Sequence, residues 1–342
     1  MRIVVIGQIH YNYSASTVKS LQELGHEVMF IEMVEFYKQC SYTERKLYKL
    51  GLKSLETKYD QAWNDNLIKA CSKFKPDMIL ALNGIMMIKE YALEKLRSLG
   101  IKLSVWLLDS VKRLPLYESR IIYFDEIICF EESDLLYLKD KYGLTAYYCP
   151  VGFEEEAYYP DDKIERDIDI SFVGNPTENR LKILNNIAQY AFENALNMHV
   201  QGVYWDKKYF WKKKKFINKN PKLVPYVHNF IVSSREAAEI YRRSKICLNI
   251  HVLDHEGINP RTFEILGTRS FQLMDNRKTK NMVRPGADLV TYDNTTDLLN
   301  KIGYYLANEE ERKTIANNGY NWVKGKFSMK EMVKKIVCKE FD

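Results

Sequence analysis

Two glutamates, Glu256 and Glu264, bracket the run His255-Glu256-Gly257-Ile258-Asn259-Pro260-Arg261-Thr262-Phe263-Glu264. Its Gly, Asn and Pro form a turn, and a helix is expected to open at Pro260 or Arg261, because proline lacks the N–H that the first helical turn leaves without a partner anyway. Such a helix start presents N–H groups and the positive end of the helix dipole, which suits a phosphate or pyrophosphate. Arg261 adds a planar cationic fork beside it. Glu264 falls one turn inside the helix, where a carboxylate can accept both hydroxyls of a ribose. Glu256 lies on the turn itself, where a sugar joined to the pyrophosphate would sit. On residue types alone, an acidic first turn capping an ordinary helix explains the same pattern.

The elements that must hold this run are legible on both sides. Residues 245–252 are apolar and β-branched enough to be a buried strand, so the local order is strand, turn, helix. The first half of the chain repeats that grammar. Strands are expected at 2–6, 26–31, 78–82, 102–108, 126–130 and 146–149, with helices at 14–24 and 88–99 and a charged helical stretch at 43–75. This is a doubly wound α/β domain, whose ligands bind beyond the carboxyl ends of the strands. Gly7, Gln8, His10, Asn83, Gly84, Asp109 and Glu131 stand at those ends. Turn chemistry explains most of them, and His10 and Asp109 are the reactive types. Residues 152–165 are acidic, proline-punctuated and aperiodic, and read as a linker. The pattern then restarts with a strand at 168–173, the turn Gly174-Asn175-Pro176 and a helix at 178–192 that places Arg180 in its first turn, within reach of a phosphate. Further strands are expected at 198–203, 271–274 and 289–292, and helices at 235–244, 297–306, 309–324 and 328–339.

Composition sets the class. The chain has 342 residues, 46% hydrophobic and 28% charged, which is globular and long enough for two domains. No run approaches the roughly 20 apolar residues that span a bilayer, and the chain enters a strand at once, so a cytoplasmic location is the default. The six cysteines are scattered without a C-x-x-C pair, which argues for free thiols in a reducing compartment and against a zinc site. Net charge is +6, yet residues 207–222 hold eight lysines and no acid; removing those eight from the total leaves the rest at −2. Lys207–Lys222, interleaved with aromatics, reads as a solvated loop or as a peripheral contact with a membrane or other acidic surface. Nucleic acid is not expected, since no recognition motif accompanies the lysines.

The run from Glu256 to Glu264 resembles the E-x7-E signature of retaining, nucleotide-sugar-dependent glycosyltransferases of the GT-B fold. The longer string EGINPRTFEILGTRSFQLMD is closer still to spore-maturation-type glycosyltransferases, and the resemblance covers about residues 165 to 335. Thr268-Arg269-Ser270 stands where many relatives carry a small residue and a glycine. The resemblance implies an α/β chain of two Rossmann-like domains facing an interdomain cleft. Residues 1–155 would be the acceptor side, 165–325 the donor side, and 326–342 a terminal helix packing back on the first domain. The donor it implies is a nucleotide diphosphate sugar, with UDP favoured, and the acceptor stays open between protein, polysaccharide and lipid-linked molecules.

By the same resemblance Glu264 would hold the ribose and Glu256 the donor sugar or its developing charge. Arg261, with backbone N–H groups around Ile258 and Thr262, would stabilise the departing diphosphate. Gly257 and Asn259 belong to the same turn, and Gly174, with Asn175 beside it, would let donor or acceptor approach the backbone. Tyr226, Asn249 and His251 are candidates for the pocket wall. No cofactor or metal is implied, and no D-x-D run follows a strand. Retention goes with the signature; inversion would need a base such as His10 or Asp109. An epimerase or hydrolase of the same fold, or a silent nucleotide-sugar binder, are the rival readings. A Rossmann dehydrogenase is a poor third, because Gly7-Gln8-Ile9-His10-Tyr11-Asn12 lacks G-x-G-x-x-G.

Overall fold

The computed structural model describes residues 1–9, 12–83, 87–113, 119–203, 210–253 and 255–341. His10, Gly84, Lys207 and Lys208 lie outside them. The chain divides into two compact units, Met1–Val151 with Met332–Asp342, and Gly152–Glu331. Each is built on its own six-stranded parallel sheet, so the chain has the expected α/β, doubly wound class twice over.

In the first unit the strands are β1 (Arg2–Gly7), β2 (Glu27–Glu32), β3 (Met78–Leu82), β4 (Lys102–Leu107), β5 (Glu126–Cys129) and β6 (Tyr147–Tyr148), ordered β2-β1-β3-β4-β5-β6. β3 is buried along its whole length, as a parallel strand covered on both faces must be. The charged stretch expected as one helix is two, Tyr42–Lys49 and Ser54–Phe74. Gly51 between them sits at φ 107°, where residues with a Cβ are strained. In the helix after β5, Asp134 is fully buried and accepts hydrogen bonds from the Ser110 hydroxyl (2.7 Å) and the Val111 N–H (2.9 Å) of the segment that follows β4. Burial pushes its carboxyl above the ordinary range.

The second unit holds β7 (Ile168–Val173), β8 (Met198–Gly202), β9 (Val227–Asn229), β10 (Ser244–Asn249), β11 (Gln272–Asp275) and β12 (Val290–Tyr292), ordered β12-β11-β10-β7-β8-β9. This is the Rossmann order, in which the first strand of the unit lies beside the fourth and the direction of winding reverses between them. The switch point therefore lies between β7 and β10, whose register pairs Phe172 with Leu248. Two expectations are corrected here. The 152–165 segment is no loose linker: Phe153, Ala157 and Tyr158 are buried, and Tyr158 stacks on Tyr241 with ring centroids 6.3 Å apart. Residues 210–219 of the lysine-rich stretch form a helix rather than a loop, anchored by buried Phe216. Lysine is a good helix former, and one apolar anchor is enough to seat a solvated helix. Among the described residues no helix is long and apolar enough to cross a membrane.

Candidate functional site

The switch point is where the switch-loop residues meet. β7 ends in Gly174, whose N–H donates to the Gln201 carbonyl at 2.8 Å. A Cβ added to Gly174 would lie 3.0 Å from the Phe172 ring and 3.3 Å from Nη2 of Arg261. Glycine is thus what lets Arg261 come in across the end of β7. The next helix, Glu178–Glu193, is capped by Thr177, whose hydroxyl accepts the Arg180 N–H at 3.3 Å. Arg180 is only 8% exposed. Its Nε donates to the Ile250 carbonyl at 2.8 Å and its Nη1 to the Asn175 carbonyl at 3.0 Å. It therefore ties the loop after β7 to the loop after β10. Burial, and then the neighbouring charge of Arg261, push its guanidinium down to about 9. The two guanidiniums lie 5.4 Å (Arg180) and 5.9 Å (Arg261) from the centroid of the buried Phe172 ring, within cation–π range. The switch point is accordingly a place of concentrated positive charge.

The E-x7-E turn is held from beneath by residues that do not face out. His251 is fully buried. Its Nδ1 is 2.6 Å from Oδ1 of Asp275, at the end of β11, and its Nε2 accepts the Asn259 N–H at 3.1 Å. A backbone N–H can only donate, so the proton must sit on Nδ1 and the ring is neutral. Burial lowers its proton affinity in keeping with that. Burial alone would raise the Asp275 carboxyl, but the hydrogen bond from His251 and the charge of Arg277 outweigh it and leave it below its ordinary value. Asn249 and Asn259 exchange side-chain hydrogen bonds at 2.9 and 3.1 Å, and Asn249 also donates to the Thr262 hydroxyl at 3.0 Å. Asn249, His251, Asn259 and Thr262 thus build the turn and are spent inside it; they are not a pocket wall. The Thr262 N–H, expected to face a diphosphate, donates instead to the Asn259 carbonyl at 3.0 Å.

What the turn presents is Glu256, Gly257, Arg261 and Glu264. The helix opens at Pro260, as its sequence requires, and runs Pro260–Gly267. Arg261 and Glu264 are half-buried one turn apart, and the charges of both are felt at the buried Tyr241 hydroxyl. Glu256 is exposed and pairs with Lys278 at 3.1 Å. Ile258 is buried beneath the turn and Asn175 is exposed beside Gly174. Tyr226 is not brought here. It precedes the edge strand β9, two strands from the switch point, and packs against the apolar core. Asp109 belongs to the other unit, beyond β4, where it accepts the Ser110 N–H at 2.9 Å. Sequence reasoning missed Asp275, Arg277 and Lys278. Their signal was available: an acid and two cations directly after an apolar strand.

The buried His251 makes acid stability testable. Its folded proton affinity is below the ordinary 6.5, so above pH 6.5 the ring is neutral folded and unfolded. Below that the unfolded chain takes the proton first, and stability is lost as pH falls. His199, stacked on His228 at 4.0 Å and pushed down to about 4 by burial and by that neighbour, acts in the same direction. The melting temperature is expected to fall between pH 7 and pH 5, with a shallower slope in His251→Gln, which keeps a donor and an acceptor but does not titrate. An unchanged slope in that variant would show that His251 takes no proton on unfolding.

Comparison with known proteins places this geometry. A model of the glycosyl transferase-like family matches residues 180–337. HepE of Anabaena, solved with UDP-glucose, superposes with a TM-score of 0.71 at 11% identity over 99% of both chains. Sucrose-phosphate synthase of Thermosynechococcus elongatus gives 0.69 at 11% identity over 99% of this chain and 98% of that one. A UDP-N-acetylglucosamine 2-epimerase assigned in Listeria monocytogenes gives 0.62 at 10% over 100% and 97%. No curated protein matches the chain in sequence. At such identities the structural likeness is one of fold. Two Rossmann-like units in one chain are the GT-B architecture. The chain therefore has the GT-B fold, and its residues 180–337 are similar to the glycosyl transferase-like family.

Proposed function

We propose that this chain moves a sugar from a nucleotide diphosphate donor, a UDP-sugar, to an acceptor that is a protein, a polysaccharide or a lipid-linked molecule, with retention of configuration. The observation that carries this is Arg261, drawn across Gly174 at the β7–β10 switch point, with Glu256 and Glu264 on either side of it in the sequence. Arg261 would neutralise the diphosphate as it departs, with Arg180 raising the local positive potential from behind. That is charge stabilisation aimed at the group whose charge grows in the transition state, and it asks for no metal. Glu264 would take the ribose hydroxyls and Glu256, now paired with Lys278, the donor sugar. UDP-glucose bound by a protein of the same fold supports a UDP-sugar here. Exposed Lys213, Lys214 and Lys215 support a peripheral contact with an acidic surface. Asp109 and His10 would take a part only if the product proved inverted.

The test is a comparison of UDP with 2′,3′-dideoxy-UDP. The native chain is expected to favour UDP, and Glu264→Ala to erase that preference by weakening UDP at least tenfold, the scale of one hydrogen bond to a charged group. Equal UDP affinity in native and Glu264→Ala proteins would sink the ribose assignment. Because the fold is shared with an assigned epimerase, UDP-glucose is then followed by NMR: UDP release with sugar transfer supports this reading, whereas a C2-epimerised donor supports the rival.

A further inference from the structure

The opposite end of the second sheet carries a cavity of about 230 Å³. It lies at the amino ends of the strands, whereas the switch-point site lies at their carboxyl ends. Arg166 precedes β7, Lys245 is the second residue of β10, Arg269 precedes β11, and Arg312 and Lys313 reach in from the Glu309–Val323 helix. The acids in its lining are Asp162 and Glu309. The lysines are matched, Lys245 by Asp169 at 2.7 Å and Lys313 by Glu309 at 2.8 Å. The arginines are not matched to the same degree. Arg269 pairs with Asp162, a carboxylate 85% exposed to solvent. Arg166 donates to the carbonyls of Tyr241, Ser244 and Arg269 and to the Ser270 hydroxyl. Arg312 donates to the carbonyls of Tyr305 and Leu306. These acceptors are neutral, so the half-buried Arg166 and the buried Arg312 keep their charge at the cavity. Their crowding is felt: burial lowers the Arg166 guanidinium, and Arg312 and Arg269 lower it further.

Arg269 supplies a second, independent observation. It follows the Pro260–Gly267 helix at φ 56°, the left-handed conformation that glycine adopts more readily than a residue with a Cβ. A side chain kept at a strained position points to a use for that side chain. Here the strained residue puts a third guanidinium into the cavity.

We propose that this cavity is a second anion site, taking a small phosphate monoester. Three guanidinium forks suit the oxygens of a dianionic phosphate better than a single carboxylate. At about 30 Å³ per water in the liquid, the cavity has room for a phosphate and a small organic group. The site is separate from the switch point, though the Pro260–Gly267 helix spans the distance between them, with Arg261 in its first turn and Arg269 just past its end.

The probe is glucose 6-phosphate, titrated calorimetrically into the full chain at constant ionic strength with UDP saturating the donor site. Saturable one-to-one binding is expected, absent with glucose, and weakened at least tenfold in Arg269→Gly. That variant removes the guanidinium while giving the backbone its preferred residue, so its melting temperature should hold. Lys313→Ala, at an exposed position, is expected to weaken binding as well. No saturable binding to the native chain, equal affinity for glucose, or native affinity in Arg269→Gly would each overturn the site. So would binding lost in Arg261→Ala and kept in Arg269→Gly, which would return the phosphate to the switch point.

Discussion

Arg261→Ala is expected to remove most of the melting-temperature rise that UDP gives the native chain. A ligand present at 100 times its dissociation constant stabilises the folded state by about 2.7 kcal/mol. A hydrogen bond to a charged group is worth about 1.5–3 kcal/mol, so its loss weakens UDP by roughly 10- to 100-fold. At the upper end, the same UDP concentration would leave only about 0.4 kcal/mol of stabilisation. In turnover the loss should be larger, on the order of 10²–10³ in kcat, because the leaving diphosphate gathers charge as the bond breaks. Arg261→Lys separates charge from shape: it restores a cation without the planar fork, and partial rescue is expected. The melting temperature without ligand is the control, since Arg261 is half-buried beside Phe172 and Tyr241 and some packing is lost with it. A UDP-dependent rise equal to that of the native chain would leave Arg261 with no part in binding the donor.

What was legible beforehand was what is local. Pro260 opens its helix as expected, Glu264 falls one turn inside it, and Gly174 closes its strand. These follow from backbone chemistry that a few neighbouring residues decide. What was not legible depends on which strands become neighbours. His251 reads as a polar residue at a strand end, free to face a ligand. Parallel pairing of β10 with β11, which sets Asn249 opposite Met274, brings Asp275 against its ring from 24 positions away. The same pairing sets the Thr262 hydroxyl over Met274 and withdraws it from any ligand. Tyr226 was misplaced for the complementary reason. Val227-His228-Asn229 has little strand propensity, so β9 was unseen, and with it the fact that Tyr226 stands at the far edge of the sheet. The switch point itself needed the whole strand order.

That dependence makes Asp275→Ala the largest expected loss of stability. Four donors lose their acceptor: the His251 N–H (3.0 Å), His251 Nδ1 (2.6 Å), and Nε and Nη2 of Arg277 (2.8 and 2.5 Å). The His251 side chain is fully buried and that of Arg277 is 15% exposed. Removing one partner from a buried charged cluster costs about 3–5 kcal/mol, since what remains is an uncompensated charge. For a unit the size of Gly152–Glu331 this is roughly 6–20 °C in melting temperature, at about 2–4 °C per kcal/mol. Asp275→Asn, which keeps one acceptor, should cost less. The coupling is the sharper quantity: in a double-mutant cycle with His251→Gln, an interaction of about 0.5–3 kcal/mol is expected for residues in one hydrogen-bond network. Strict additivity would mean that His251 and Asp275 stabilise the turn separately. Because the Asn259 N–H is held by His251, a loosened ring frees the residue just before the helix that carries Arg261 and Glu264. UDP affinity should therefore fall in Asp275→Ala even though this carboxylate touches no donor, and Arg261→Ala, with the scaffold intact, should lose UDP while keeping most of its melting temperature.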